Sequence, residues 1–171
     1  MVKVVYQKGD GKKYNGREDI TTVTVASDVD EIPEDAFYGC SNLTEFEFGD
    51  SKVTKIGDRA IQGTGITKIK LPDSLKVIER HVFWECIKLK EIEVNVEKIK
   101  DNTFYNCKDL VKVVLKEGVT TVESEVFDQC PNISRFIWPD SVKEVGDGVF
   151  QGCAKLHELA GSRIRRKLSS T

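Results

Sequence analysis

Five cysteines are the residues of this 171-residue chain that could do chemistry most directly, since a thiol can form a disulfide, bind a metal or act as a nucleophile. The count is odd, and no Cys-x-x-Cys pair offers two zinc ligands. Buried Cys is also a small apolar residue that fits a tight corner. The sequence therefore predicts reduced, structural thiols, with a column of disulfides as the alternative. The cysteines are Cys40, Cys86, Cys107, Cys130 and Cys153.

The two histidines add no recognisable catalytic pattern. His157 follows Cys153 by four residues, but no second pair accompanies them, and His81 falls in a predicted surface turn. The sequence contains no nucleophile elbow, phosphate-binding glycine loop or zincin helix. We therefore predict no catalytic, cofactor-binding or metal-binding residues, and a protein that is not an enzyme.

Charge and composition narrow the class of partner. The chain has 26 basic and 28 acidic residues, and its net charge of −2 argues against a protein built to bind nucleic acid. No apolar run approaches the ~20 residues of a membrane span. The first residues do not form a secretory signal. This start of the chain and the odd number of cysteines, expected to be reduced, favour a cytoplasmic location.

The cysteines belong to a repeat of 21–24 residues. An apolar residue three positions before each cysteine, or before Thr64 in the second unit, forms a column that consists of Phe37, Ile61, Phe83, Phe104, Phe127 and Phe150. A second column, five residues earlier, consists of Ile32, Ile56, Ile78, Ile99, Val122 and Val145. Each unit then closes with an apolar-x-x-apolar-x-apolar pattern, whose alternation predicts a short strand. The segment between column and cysteine lacks alternation and predicts a helical or 3₁₀ turn.

One strand and one turn cannot bury their own apolar face, whereas stacked units can. The repeat therefore predicts a solenoid with a short parallel β-sheet on its concave face and short helical or 3₁₀ turns on its convex face. The strand-crossover rule makes it right-handed. The repeat length lies within the range of ~20–29 residues for leucine-rich repeats.

The chain resembles the BspA-like leucine-rich repeats, in the segment Ile32-Pro33-Glu34-Asp35-Ala36-Phe37-Tyr38-Gly39-Cys40-Ser41-Asn42-Leu43 and again in residues 145–156. The second unit departs from the pattern, because Gly63-Thr64-Gly65 lacks one residue and the cysteine, which predicts a tighter turn. The resemblance implies a solenoid used for protein binding.

The extent of the repeat divides the chain into three predicted segments. Residues 1–19 are expected to form an N-terminal cap of a strand and a turn, with a hairpin as one form, and residues 20–160 a solenoid of about six repeats. Residues 161–171 carry four positive charges and no acidic residue, and they are expected to form a basic flexible tail. Binding of nucleic acid or anionic lipid through this tail is a rival function.

The outward strand positions predict a candidate surface. Their charges alternate from Glu45 and Glu47 through Lys68 and Lys70 to Glu91 and Glu93, so that neighbouring strands would neutralise each other. The alternation fails at the fourth and fifth strands. The residues predicted to lie there as a partner surface are Lys112, Val114, Arg135 and Ile137. A β-branched pair with a purely structural role is the alternative.

Two aromatic residues form a second candidate. Trp84 and Tyr105 follow the apolar column in adjacent units, so they are expected to stack on the outer turns. They could be binding hot spots, or they could only pack within the solenoid. Trp138 occupies an inward position and is expected to help close the C-terminal end.

The sequence therefore predicts a non-enzymatic scaffold for protein–protein interaction, with a protein partner, no small-molecule substrate and no cofactor. The alternative is an adhesion or surface-recognition module from a longer secreted repeat protein.

Overall fold

The structure is a computed structural model that describes residues 1–156 and the backbone of residues 159 and 160. This part of the chain contains thirteen strands and no helix. In chain order the strands are β1 (Val2–Tyr6), β2 (Ile20–Val25), β3 (Glu31–Ile32), β4 (Glu45–Glu47), β5 (Lys55–Ile56), β6 (Val77–Ile78), β7 (Glu91–Val94), β8 (Lys98–Ile99), β9 (Lys112–Leu115), β10 (Thr121–Val122), β11 (Arg135–Ile137), β12 (Glu144–Val145) and β13 (Leu159–Ala160).

The closing strands of the units form the concave face. They lie in the orders β1-β2-β4 and β7-β9-β11-β13, with every pair parallel. Equivalent repeat positions pair directly, as Ile92 with Val113 and Val113 with Phe136. These three side chains point inward and are buried. The in-register parallel stacking predicted from the repeat is confirmed.

A second parallel sheet runs beside the first, and its strands are only two residues long. Its six strands have the order β12-β10-β8-β6-β5-β3. They contain the column that begins at Ile32 and ends at Val145. The sequence identified this column without predicting a strand, because two residues are too few to show an alternating pattern.

The convex segments are turns in the described residues, so the predicted helical or 3₁₀ form is not found. Every second N–H group along this segment forms a hydrogen bond to the next unit. The N–H groups of Asp35, Phe37 and Gly39 donate to carbonyls of that unit at 2.8–3.0 Å. The intervening N–H groups close local turns, as Tyr38 does onto Asp35. A helix needs every N–H for its own backbone, so this alternation excludes one.

The phenylalanine column forms the centre of the core. The rings of Phe83 and Phe104 stack with centroids 5.1 Å apart, those of Phe104 and Phe127 are 5.2 Å apart, and those of Phe127 and Phe150 are 6.0 Å apart. The first three rings are fully buried. Residues separated by about 22 positions in sequence thus lie in single file, as the repeat predicts.

The N-terminal segment adds a further partial turn. Because β1 pairs in parallel with β2, it does not form the hairpin that the sequence allowed. Tyr14 takes the place of a column residue and stacks on Phe37 with a centroid distance of 5.7 Å. The Lys13 ammonium lies 5.2 Å from the centre of the Tyr14 ring. An aromatic ring shielded by a cation therefore covers this end of the core.

The other predictions for the ends of the chain lie largely outside the described residues. His157 and the basic tail, residues 161–171, are among them. Trp138 is buried beside Phe136, at a centroid distance of 5.3 Å, in the inward position expected. The boundaries of the three predicted segments stay predictions. None of the described residues forms a helix that could span a bilayer.

Candidate functional site

The concave face at β9 and β11 carries four of the predicted site residues. Lys112 is the register partner of Arg135, and Val114 is the register partner of Ile137. Arg135 is exposed, while the other three are half-buried. The structure thus places two cationic and two aliphatic side chains side by side on a regular sheet. Their role in binding a partner stays a prediction.

Two ion pairs lie at the border of this surface. The Lys112 ammonium is 3.7 Å from a Glu91 carboxylate oxygen, and the Lys116 ammonium is 3.0 Å from one of Glu93. The hydrogen bond from Lys116 lowers the pKa of Glu93 below its ordinary value. Exposed pairs of this kind contribute at most about 1 kcal/mol. They fix the charge pattern of the face more than they stabilise it.

The predicted charge ladder is interrupted at the second unit. The expected strand over residues 66–71 does not form, and Lys68 only makes an isolated parallel bridge to Glu91. No ion pair joins Lys68 or Lys70 to Glu45 or Glu47 in the part of the chain that the structure describes. We attribute the interruption to the residue missing from this unit, which shortens its corner.

Trp84 and Tyr105 lie on the convex turns, away from the other four site residues. Their rings stack with centroids 4.2 Å apart and planes inclined by 26°. His81 meets Trp84 edge-on at 5.1 Å, and its Nδ1 lies 3.1 Å from an Asp58 carboxylate oxygen. The ring faces that Trp84 and Tyr105 turn towards each other are therefore covered by this contact within the solenoid. The six predicted residues form two separate clusters.

The cysteines form a ladder of thiol hydrogen bonds rather than a reactive centre. The Cys107 thiol donates to the carbonyl of Phe83 at 3.2 Å, and the Cys130 thiol to that of Phe104 at 3.1 Å. Each acceptor carbonyl belongs to the apolar column of the preceding unit. Burial raises the pKa of Cys86 to about 11. A thiol that stays protonated at neutral pH is a poor nucleophile and a poor metal ligand.

Metal ligands are not clustered in the described part of the chain, where no group of three His, Cys, Asp or Glu side chains is arranged to hold an ion. The arrangement that the described residues do offer is an extended, regular surface.

Sequence reasoning missed an exposed flank next to β7 and β9. Ile87 and Val111 are 43% and 44% exposed, and Lys88, Lys90 and Lys108 surround them in sequence and are exposed too. The sequence contains one sign of this flank. In each unit one residue directly precedes the first outward position of the strand, and in five successive units these residues are Thr44, Thr67, Lys90, Val111 and Ser134. Val111 is the apolar member of this set.

Comparison with known families relates the whole repeat region to one of them. Residues 11–96 and 91–169 match the BspA type leucine rich repeat region, in six copies. Among the curated proteins there is no match.

Solved structures show the same fold. The T. pallidum leucine rich repeat protein is 28% identical with a TM-score of 0.82, over 99% of this chain and 76% of that one. A leucine-rich repeat protein from Bacteroides ovatus is 21% identical with a TM-score of 0.56, over 85% of this chain and 50% of that one. A leucine rich cell surface protein from Faecalibacterium prausnitzii is 18% identical with a TM-score of 0.52, over 91% and 64%. The chain is thus shorter than each of these proteins.

Proposed function

The chain belongs to the BspA-type leucine-rich repeat family, and from this premise we propose that it is a non-enzymatic scaffold that binds another protein through its concave face. The partner surface consists of Lys112, Val114, Arg135 and Ile137, which we call the concave patch.

One observation carries this proposal: Val114 and Ile137 are direct register neighbours on the solvent side of the sheet, beside Lys112 and Arg135. Elsewhere on β4 and β7 the corresponding outward positions are glutamates. An aliphatic centre with a polar rim is the composition expected of a protein-binding patch. Because both strands are fixed by sheet hydrogen bonds, the patch is formed before the partner arrives, which reduces the entropic cost of binding.

The test is an affinity capture with the immobilised chain and a lysate of the organism that encodes it. The double variant Val114→Glu/Ile137→Glu is expected to lose the specific partners that the wild-type chain retains. Both side chains point away from the core, so the variant is expected to keep its far-UV circular dichroism spectrum. Its melting temperature is expected to fall slightly, because the new carboxylates lie in register with Glu93.

A matched control changes equivalent outward positions at the other end of the concave face. Val5→Glu/Thr24→Glu introduces the same charge at two register neighbours in β1 and β2, and it is expected to keep every partner. An identical partner list for all three proteins would contradict the proposal.

A surface-recognition module from a longer secreted protein is the second candidate. The cell surface protein from Faecalibacterium prausnitzii, which shares the fold, supports it. The two candidates differ in where the chain is found: fractionation of the source organism is expected to recover the scaffold with internal proteins and the module with the cell surface or the medium.

A further inference from the structure

The concave patch adjoins a second group of exposed residues on one side of the solenoid. Val111 directly precedes Lys112, and its N–H donates to the carbonyl of Lys90 at 2.8 Å. The N–H of Asp109 donates to the carbonyl of Ile87 at 3.1 Å. These hydrogen bonds hold adjacent units together along this side. We call the set of Ile87, Lys88, Lys90, Lys108 and Val111 the basic flank.

The lysines of the basic flank differ from the lysines on and directly after β9. Lys112 and Lys116 are each matched by a glutamate on β7, whereas Lys88, Lys90 and Lys108 form no ion pair with any residue that the structure describes. All three are exposed. Asp109, the exposed acid beside Lys108, offsets part of this charge, so the flank keeps an excess of positive charge in a chain whose net charge is −2.

Aliphatic side chains accompany these charges. Ile87 and Val111 are two of the few large apolar residues in the described chain that are more than two-fifths exposed. Exposed apolar side chains between unmatched cations favour a ligand that is both acidic and aliphatic.

We propose that the partner of the concave patch is a protein segment rich in acidic and aliphatic residues, which extends from the patch over the basic flank. This inference rests on the proposed function, because it assigns the chemistry of the partner to the same surface. Acidic side chains of the segment meet Lys88, Lys90 and Lys108, while its aliphatic side chains cover Ile87, Val111, Val114 and Ile137. The aliphatic contacts favour a protein segment over nucleic acid, which prefers aromatic stacking platforms.

The test selects binders from a displayed library of random peptides on the immobilised wild-type chain and measures their affinity for three variants. Selected peptides are expected to be enriched in Asp, Glu, Leu, Ile and Val. The variant Lys88→Glu/Lys90→Glu/Lys108→Glu is expected to bind them at least about tenfold more weakly, and raising the salt concentration is expected to weaken their binding to the wild-type chain.

The charge-matched control is Lys52→Glu/Lys76→Glu/Lys143→Glu. These lysines are exposed and lie in the loops between the concave strands and the short strands. The control variant undergoes the same change of net charge, so it is expected to retain the affinity. Equal loss in both triple variants would show a non-specific charge effect and would overturn the inference.

The third variant, Val114→Glu/Ile137→Glu, separates the two proposals. Peptides that lose binding to this variant but are neutral or basic would overturn the acidic partner and leave the proposed function standing. If no selected peptide depends on the patch or on the flank, both proposals fail. Random-sequence DNA that binds with the same dependence on the three flank lysines, in place of any peptide, would overturn the assignment to protein.

Discussion

At the scale of single residues, the cysteine column is explained by the corner that it occupies. The Phe83 carbonyl already accepts the local backbone N–H of Cys86, and the thiol of the next unit, Cys107, supplies a second donor. The thiol is small enough to be buried completely at this point. Thr64 takes this place in the second unit and approaches the Cys86 sulfur at 3.5 Å. A small side chain with a hydrogen-bonding group is therefore what the position requires.

Burial of these thiols predicts a loss of stability at alkaline pH. The pKa of Cys86 rises from 9.0 to about 11 on folding, because burial disfavours the thiolate. Below pH 9 the thiol is protonated in both states and has no effect on the pH dependence. Between pH 9 and 11 it ionises only in the unfolded chain, so the free energy of unfolding falls by about 2 kcal/mol for this group.

Cys86→Thr isolates this contribution, since Thr64 shows that the column accepts a threonine. Chemical denaturation at a series of pH values is expected to give a shallower alkaline decline for the variant than for the wild-type chain. Lysine and tyrosine titrations are common to both proteins and cancel in the difference. Parallel declines would contradict the assignment.

Backbone strain on the convex face gives a second prediction at this scale. Glu85 has a φ of 56°, a left-handed conformation that favours glycine, and the equivalent residues of other units are Gly39, Gly63 and Gly152. Glu85→Gly is expected to raise the free energy of unfolding by about 1 kcal/mol. Glu85→Ala, which keeps the unfavourable φ, is expected to show no such gain in the same denaturation experiment. Equal free energies of unfolding for Glu85→Gly and Glu85→Ala would contradict backbone strain at this residue.

The sequence predicts which residues lie inside far better than it predicts their backbone. The columns through Phe104 and Ile99 are buried as expected, because apolar periodicity reports burial directly. Several left-handed positions carry Arg59, Glu85 or Glu125, residue types that give no local sign of a positive φ. That conformation is imposed by hydrogen bonds between units, which a single unit cannot show.

At the scale of elements, the second unit shows the effect of one missing residue. The concave sheet is interrupted there, whereas the short strands β3, β5 and β6 stay paired across the same units. The shortened corner brings Gly65 against the Ser41 backbone, so closely that a Cβ would lie well inside van der Waals contact with the Ser41 carbonyl oxygen. The tighter turn expected from the sequence is therefore present, and its consequence for the strand was not foreseen.

Gly65→Ala is expected to destabilise the protein by about 2 kcal/mol, because the backbone of the first unit would have to move. Gly63→Ala is the control: its Cβ has room, at 3.8 Å from the nearest atom, and only its φ of 68° opposes the change. We expect the control to cost about 1 kcal/mol. Thermal melts of the two variants compare the losses of stability. A smaller loss for Gly65→Ala than for Gly63→Ala would contradict the close approach of Gly65 to the Ser41 backbone.

At the scale of the whole molecule, stability accumulates through contacts between neighbouring units. Phe104 is fully buried between the rings of Phe83 and Phe127, whereas Phe150 is only half-buried and stacks on Phe127 at a longer distance of 6.0 Å. Phe104→Ala is expected to cost about 4 kcal/mol and Phe150→Ala about half of that. Equilibrium unfolding in denaturant measures both losses of stability. Equal losses in the two variants would contradict a ring stack whose last member, Phe150, is less well packed.

The architecture follows from the sequence because the repeat makes the same demand in every unit. A unit with one apolar face has to stack, and stacking aligns Val114 with Ile137. The basic flank could not be predicted in the same way, because exposure of Ile87 and Val111 depends on how the corner turns at each unit. The partner is a property of a second molecule, and only the chemistry of the exposed surface bears on it.

Methyl nuclear Overhauser spectroscopy on the folded chain tests the parallel register at the concave patch most directly. A strong cross peak is expected between the methyl groups of Val114 and Ile137, because aligned residues of neighbouring strands lie about 5 Å apart. A slip of one residue would turn each strand over. A cross peak from Val113 to Ile137, with none from Val114, would show such a slip and would remove both the solenoid register and the proposed binding surface.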